Sequence, residues 1–145
     1  MKTLLSVLIA ATLCVFVPAQ AHGGGMKGGL FVNLTSNDVS RASMAIMIAH
    51  KVLKEKTIPV TIWLNVDAVK LVDLQTTQKK YADMPSPLEM MQAFMKDGGT
   101  VMICPMCMKK VGGLEVNELP SGVVPSEMDL WWKAISADDV RVLSY

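Results

Sequence analysis

Residues 100–108 read TVMICPMCM, and this stretch decides the predicted fold. Thr100 to Ile103 is a short apolar run, which predicts a buried strand. Pro105 suits the first turn of a helix, because a backbone N–H at that position has no partner inside the helix. The Gly112-Gly113 pair suits the end of that helix. Cys104 is therefore predicted to lie where a central strand ends and a helix begins.

Strands and helices are predicted to alternate on both sides of this stretch. Short apolar runs predict further strands at Leu30–Thr35, Ile58–Leu64, Gly122–Val124 and Val140–Leu143. Helices are predicted after the cap residues Ser36, Asn37 and Asp38, and after Ser86. A further helix is predicted after Ser126, which forms with Asp129 a pattern resembling a capping box. Residues 66–74 are interpreted as a loop with a helical turn. This alternation predicts an α/β protein with an open parallel sheet and helices on both faces.

The amino terminus has the pattern of a cleaved signal peptide. The positive Lys2 precedes an apolar run from Leu4 to Val17, and Ala19-Gln20-Ala21 is a small-x-small sequence that signal peptidase accepts. The run is shorter than the roughly 20 residues that span a bilayer, which argues against an uncleaved anchor. We therefore predict a signal peptide over residues 1–21, a flexible glycine-rich arm over 22–29, an α/β domain over 30–145, and a periplasmic protein with no membrane contact after cleavage.

The composition limits the classes of function. The chain of 145 residues carries a formal net charge of +1, which is too small to indicate nucleic-acid binding. A hydrophobic content of 51% excludes disorder as the main state. His22 and His50 are the only histidines, which leaves little basis for a Ser/His/Asp triad, and the sequence has no nucleotide-binding glycine loop. The neighbouring Trp131 and Trp132 are predicted to lie at a subunit interface.

Two cysteines of the mature chain are the main candidates for chemistry. Ligands bind outside the carboxyl ends of the strands in an open parallel sheet, which is where Cys104 is predicted to lie. Amide groups at a helix start favour the thiolate form of Cys104. Cys107 follows about one helical turn later, close enough to attack a sulfur bound on Cys104 or to share a metal with it.

Three interpretations of this pair stay open. The first is an inert structural disulfide, whose short loop contributes little entropic stabilisation. The second is a reactive pair for persulfide or thiol–disulfide chemistry. The third is a copper(I) site, because thiolates and thioethers select that ion and Met106 and Met108 flank the cysteines. His22, the predicted first residue after cleavage, offers a further ligand to such a site.

The order of elements resembles the DsrE/DsrF-like superfamily of small sulfur-relay proteins. The resemblance rests on the Thr35–Arg41 turn before an alanine-rich helix, the sequence IPVTIWLNVDAVKL at 58–71, the strand ending in Cys104, and the segments Lys109–Gly113 and Leu119–Val124. It implies a three-layer flavodoxin-like fold, assembly into trimers or hexamers, and persulfide sulfur carried on Cys104. The signal peptide, the second cysteine and the twelve methionines depart from the cytoplasmic members, and each departure argues against a simple cytoplasmic relay.

We therefore predict an exported sulfur-handling protein, at most a sulfurtransferase-like carrier, with Cys104 as the persulfide carrier and Cys107 as a resolving or modulating thiol. This function requires no cofactor. Its partners are further copies of the chain and a protein thiol that donates or accepts sulfur. The alternatives are a copper(I)-binding protein that uses Cys104, Cys107, Met106, Met108 or His22, and a periplasmic thiol–disulfide oxidoreductase.

Overall fold

Strands and helices alternate along the chain in the predicted order. The structure, a computed structural model, describes residues 28–145, so the predicted signal peptide, His22 and most of the glycine-rich arm lie outside it. The strands are β1 (Gly29–Leu34), β2 (Val60–Leu64), β3 (Thr100–Ile103), β4 (Val123–Pro125) and β5 (Val140–Ser144). The helices are α1 (Val39–Lys56), α2 (Pro87–Lys96), α3 (Pro105–Cys107) and α4 (Met128–Ser136), with 3₁₀ segments at Val66–Val72 and Val116–Glu118 and a π-helical segment at Met108–Gly112. Within residues 28–145, no helix combines the length and apolar composition needed to cross a bilayer.

All five strands are parallel and form one sheet in the order β4-β3-β2-β1-β5. The register aligns Val32 with Ile62, and Ile62 with Val101. The inner strands are apolar along most of their length, as expected for a parallel sheet that is covered on both faces. β1 begins at Gly29, one residue before the predicted strand, because Gly29 pairs with Val140 of β5. The predicted α/β class and the flavodoxin-like open parallel sheet are confirmed.

Helices α1 and α2 pack on one face of the sheet and enclose the main core. Three alanines of α1, at positions 42, 45 and 49, are fully buried, and their small side chains let the helix approach the strands closely. Met91 and Phe94 of α2 are also fully buried in this core. The predicted cap of α2 is confirmed as a complete capping box. The Glu89 N–H donates to Ser86 Oγ at 3.3 Å, and the Ser86 N–H donates to the Glu89 carboxylate at 2.7 Å.

Helix α4 covers the opposite face of the sheet, which confirms that helices lie on both faces. Phe31 and Met102 are buried there, and Trp63 is half-buried. The Trp63 ring contacts Trp131 of α4, with 5.6 Å between the ring centroids. Every residue of α4 keeps some exposure, and Trp132 is 60% exposed. The predicted interface pair is thus divided, with one indole packed on the sheet and the other facing solvent.

The capping box predicted at Ser126 and Asp129 is wrong. Helix α4 begins at Met128, and Glu127 precedes it without a capping hydrogen bond from its side chain. The Ser126 hydroxyl instead donates to the Ile103 carbonyl at 3.2 Å. The physical reason is the position of Ser126 directly after β4, whose last residue pairs with Ile103. Ser126 therefore lies over the end of β3 and bonds to that strand rather than to α4.

Candidate functional site

The site forms at the edge of the sheet where the parallel strands end. Cys104 follows β3, and its N–H donates to the Leu64 carbonyl at 2.8 Å, which extends the pairing with β2 by one residue. The Cys104 carbonyl accepts the N–H of Met108 at 2.8 Å and so opens the next helical turn. These two bonds confirm the predicted position of Cys104 between a strand and a helix.

The helix after Cys104 is short and then widens. Helix α3 makes a single turn, continues as the π-helical segment, and ends at Gly113, whose φ of 65° lies in the left-handed region that favours glycine. The predicted helix end is therefore confirmed. The two flanking methionines have different environments. Met106 is 70% exposed, whereas Met108 is fully buried in the main core.

Cys107 lies one turn after Cys104, and both thiols are free and partly exposed. Burial raises the pKa of the Cys107 thiol above its ordinary value, while a hydrogen bond from the Val66 N–H lowers it. The neighbouring Cys104 sulfur raises the pKa of Cys107 further, by accepting a hydrogen bond from it and through its own charge. Cys107 therefore keeps its proton at neutral pH and is placed to donate a hydrogen bond to a Cys104 thiolate.

Val66 holds an unfavourable backbone conformation beside this pair. Its φ is 50°, in the left-handed region that costs a β-branched residue about 1–2 kcal/mol. Hydrogen bonds on both sides of Val66 hold the turn: the N–H groups of Asp67 and Ala68 both donate to the Thr35 carbonyl at 3.1 Å, and the Asn65 N–H donates to Leu34 at 3.0 Å. The Val66 side chain is 47% exposed, so its packing does not explain the conformation. Backbone strain of this kind concentrates at functional sites, and here it accompanies the contact of the Val66 N–H with Cys107.

Two asparagines link the neighbouring strands at the same edge. The Asn65 side-chain amide donates to Asn33 Oδ1 at 2.6 Å, and the Asn33 amide reaches Ser144 Oγ at 3.4 Å. Sequence reasoning missed both residues. The available signal was the position of Asn33 inside the apolar run LFVNL, because asparagine is depleted in strands.

The residues of the predicted copper(I) site are only partly brought together. Cys104 and Cys107 are neighbours and Met106 stays exposed beside them, but the Met108 side chain lies in the core. His22 lies outside the described residues. Among residues 28–145, no group of three His, Cys, Asp or Glu side chains is arranged to hold a metal ion.

The second histidine of the sequence has a structural environment away from the cysteines. His50 Nε2 lies 2.7 Å from Asp97 Oδ2, and Lys54 Nζ lies 3.3 Å from the same oxygen. Hydrogen bonds from His50 and Lys54 lower the pKa of Asp97. The His50 ring also meets Phe94 edge-on, with centroids 5.9 Å apart. His50 therefore joins the later part of α1 to the end of α2, at the opposite end of these helices from Cys104.

Comparison with known proteins adds the following findings. The model of the DsrE/DsrF-like family matches residues 27–144. No curated protein matches the sequence. The fold is similar to that of the ychN protein from E. coli, with 18% identity, a TM-score of 0.63, and coverage of 81% of this chain and 100% of that one.

Two further solved structures have a similar fold. The protein of unknown function MTH1491 from Methanobacterium thermoautotrophicum is 10% identical, with a TM-score of 0.61 and coverage of 81% of this chain and 99% of that one. The conserved protein of unknown function BT1422 from Bacteroides thetaiotaomicron is 18% identical, with a TM-score of 0.58 and coverage of 81% and 94%. At these identities the likeness concerns the fold alone.

Proposed function

The chain belongs to the DsrE/DsrF-like family, and from this membership we propose that it carries sulfane sulfur as a persulfide on Cys104. The observation that carries the proposal is the cysteine pair at the carboxyl edge of the sheet. Cys104 is anchored at the end of β3, and Cys107 lies one turn later, where burial and the contact with Cys104 raise the pKa of the Cys107 thiol. This arrangement supports a nucleophilic thiolate at Cys104 and a modulating thiol at Cys107.

In the loading step, the Cys104 thiolate attacks the outer sulfur of a donor persulfide, R–S–S–H. A new S–S bond forms to Cys104 as the S–S bond of the donor breaks. The donor leaves as the thiolate R–S⁻ with the electron pair of the broken bond, and the proton stays on the transferred sulfur. The carrier now holds Cys104–S–S–H, and no external oxidant or reductant is needed.

In the release step, the thiolate of an acceptor protein attacks the outer sulfur of the loaded carrier. The S–S bond to Cys104 breaks, and Cys104 leaves as a thiolate. A better-stabilised leaving thiolate departs faster, so the hydrogen bond from Cys107 promotes this step. The raised pKa of Cys107 supports this role over that of a resolving nucleophile, because a thiol that keeps its proton is a poor attacking group.

The proposal extends to the location and assembly of the protein. The signal-peptide pattern of residues 1–21 supports export to the periplasm. Exposed apolar side chains on α4 and on the edge strand β5 support a homo-oligomer, since Trp132 is 60% exposed and Val142 is 55% exposed. The remaining partner is a protein thiol that donates or accepts sulfur.

Sulfur loading measured by intact mass tests the proposal. The reduced protein is incubated with inorganic polysulfide, desalted and weighed beside Cys104→Ser and the matched control Cys107→Ser. The parent and Cys107→Ser should gain the mass of a sulfur atom, and Cys104→Ser should gain none. A Cys104→Ser variant that loads as well as the parent would show that Cys104 is not the carrier. A copper(I) competition titration on the same variants tests the alternative, which requires that both substitutions weaken binding.

A further inference from the structure

We infer that Ser126 and Trp63 are positioning residues that fix the peptide group carrying Cys104. This inference rests on the proposed role of Cys104 as the nucleophile, and it adds two residues that do not themselves contact the sulfur being transferred. Both residues lie on structure that surrounds the end of β3, one after β4 and the other within β2.

The peptide group between Ile103 and Cys104 is held from two sides. Its carbonyl, on Ile103, accepts the Ser126 N–H at 2.8 Å and the Ser126 hydroxyl at 3.2 Å. Its N–H, on Cys104, donates to the Leu64 carbonyl at 2.8 Å. The strand on one side and Ser126 on the other therefore fix the plane of this peptide, and with it the direction in which the Cys104 side chain leaves the backbone.

Trp63 orients the Ser126 hydroxyl. The indole Nε1–H donates to Ser126 Oγ at 3.0 Å, and since an indole N–H is a donor only, the hydroxyl proton is left for the Ile103 carbonyl. Trp63 is itself packed between Phe31 and Trp131, at centroid distances of 6.2 Å and 5.6 Å. Ser126 is only 9% exposed, so water competes little for these bonds.

Because its hydroxyl bonds to Ile103, Ser126 does not cap the neighbouring helix α4. Serine is among the preferred N-cap residues, and replacing such a cap destabilises a helix. Ser126 is two residues before the first residue of α4, yet α4 begins without a capping side chain. The hydroxyl bonds to the end of β3 instead.

Transfer of sulfur between thiols requires the reacting sulfur atoms to be aligned, and small displacements of a nucleophile lower the rate strongly.

Alkylation of Cys104 by iodoacetamide, followed by peptide mapping, tests this inference without requiring sulfur transfer. Ser126→Ala should slow alkylation of Cys104 by about fivefold, the effect of losing one ordinary hydrogen bond. It should also lower the ratio of Cys104 to Cys107 modification, whereas Ser126→Thr, which keeps the hydroxyl, should restore both. Trp63→Phe should slow the reaction by about twofold, and should have no further effect once Ser126 is alanine.

Trp131→Phe is the matched control for Trp63→Phe. It makes the same change in the same aromatic cluster, but the Trp131 indole N–H has no hydrogen-bond partner among residues 28–145. Its alkylation rate and selectivity should equal those of the parent, and urea unfolding of each variant establishes that folded proteins are compared. If Ser126→Ala does not fold, the inference is tested by comparing the Cys104 alkylation rates of Trp63→Phe and Trp131→Phe, of which only the first should be slower than the parent.

Parent-like alkylation rate and selectivity in Ser126→Ala would overturn the inference, as would equal effects of the two tryptophan substitutions. The proposed function fails on a different result, namely sulfur loading by Cys104→Ser. Persulfide loading of the Ser126 variants should follow the same order as their alkylation.

Discussion

Replacing Cys107 by alanine should slow the release of sulfur from Cys104 about tenfold. The substitution removes the hydrogen-bond donor to the leaving Cys104 thiolate and leaves the Val66 N–H without its sulfur acceptor. Hydrogen bonds to charged groups contribute about 1.5–3 kcal/mol, and a thiol is a weak donor, so the lower end of this range applies. Since about 1.4 kcal/mol corresponds to a factor of ten in rate, tenfold is the expected loss.

Loading should be affected less than release. Without the donor, the Cys104 thiolate is less stabilised, which makes it harder to form but intrinsically more nucleophilic once formed. These effects oppose one another in loading, whereas only the weaker leaving group acts in release. Cys107→Ser keeps a donor at this position and should lie between the parent and the alanine variant in both steps.

The assay loads the parent and both Cys107 variants with polysulfide and then adds a thiol acceptor. The sulfur remaining on Cys104 is followed by intact mass, and a parallel sample without acceptor is tested for sulfide and for a Cys104–Cys107 disulfide. Release from Cys107→Ala at the rate of the parent would refute the donor role. Sulfide and disulfide formed by the loaded parent alone would show instead that Cys107 attacks Cys104 as a resolving thiol.

Four further results are expected. Amino-terminal sequencing of exported protein should begin at His22, and a mature chain that keeps the initiator methionine would contradict cleavage. Light scattering at micromolar concentration should report a trimer or hexamer, with exposed surface such as Trp132 covered, and a monomer alone would count against assembly. Burial raises the pKa of Cys107, so above pH about 8.5 the folded chain still holds a proton that the unfolded chain has lost. The free energy of unfolding should therefore fall as the pH rises above that value. Urea titrations of Cys107→Ser should not show this fall. Val66→Gly should relieve the strain of a φ of 50°, so the free energy of unfolding should stay unchanged or rise by up to about 1 kcal/mol. The control is Val116→Gly, at a similarly exposed residue whose φ is negative, which should lower the free energy of unfolding. Equal losses of stability in the two variants would rule out strain at Val66.

The parts of the fold that could be predicted are those encoded by neighbouring residues. The apolar run before Cys104 and the proline after it predicted a strand followed by a helix, and both lie where expected. The Ser86 cap was predicted because serine is a preferred cap residue, and the structure adds its partner Glu89, three residues away. That Met106 and Met108 lie on different faces of the helix could also be predicted, since residues two apart do not share a helix face.

The remaining features of the site depend on partners distant in sequence. Ser126 has the local pattern of a cap, but its hydroxyl bonds to Ile103, which is 23 residues away, and the pattern alone does not reveal that competitor. Valine is strongly disfavoured at positive φ, so nothing in the sequence marked Val66 for the left-handed region. That conformation follows from hydrogen bonds on both sides of the residue, to the carbonyls of Leu34 and Thr35 at the end of β1. Sequence reasoning therefore placed Cys104 between a strand and a helix but did not reveal the backbone and side chains that surround it.

A persulfide carrier and a copper(I) site require opposite protonation states of the Cys107 thiol. A copper(I) site built on the two cysteines requires both as thiolates, so binding must expel the Cys107 proton. Burial raises the pKa of that thiol, and its contact with Cys104 raises it further, so both oppose the loss of the proton. Met108, which is buried in the core, does not compensate with a thioether, and Met106 offers only an exposed one. A persulfide on Cys104, by contrast, benefits from a protonated neighbour each time the Cys104 thiolate leaves. The environment of Cys107 therefore supports the proposed sulfur transfer over copper(I) binding, and it predicts that any copper(I) affinity increases with pH as the Cys107 proton becomes easier to remove.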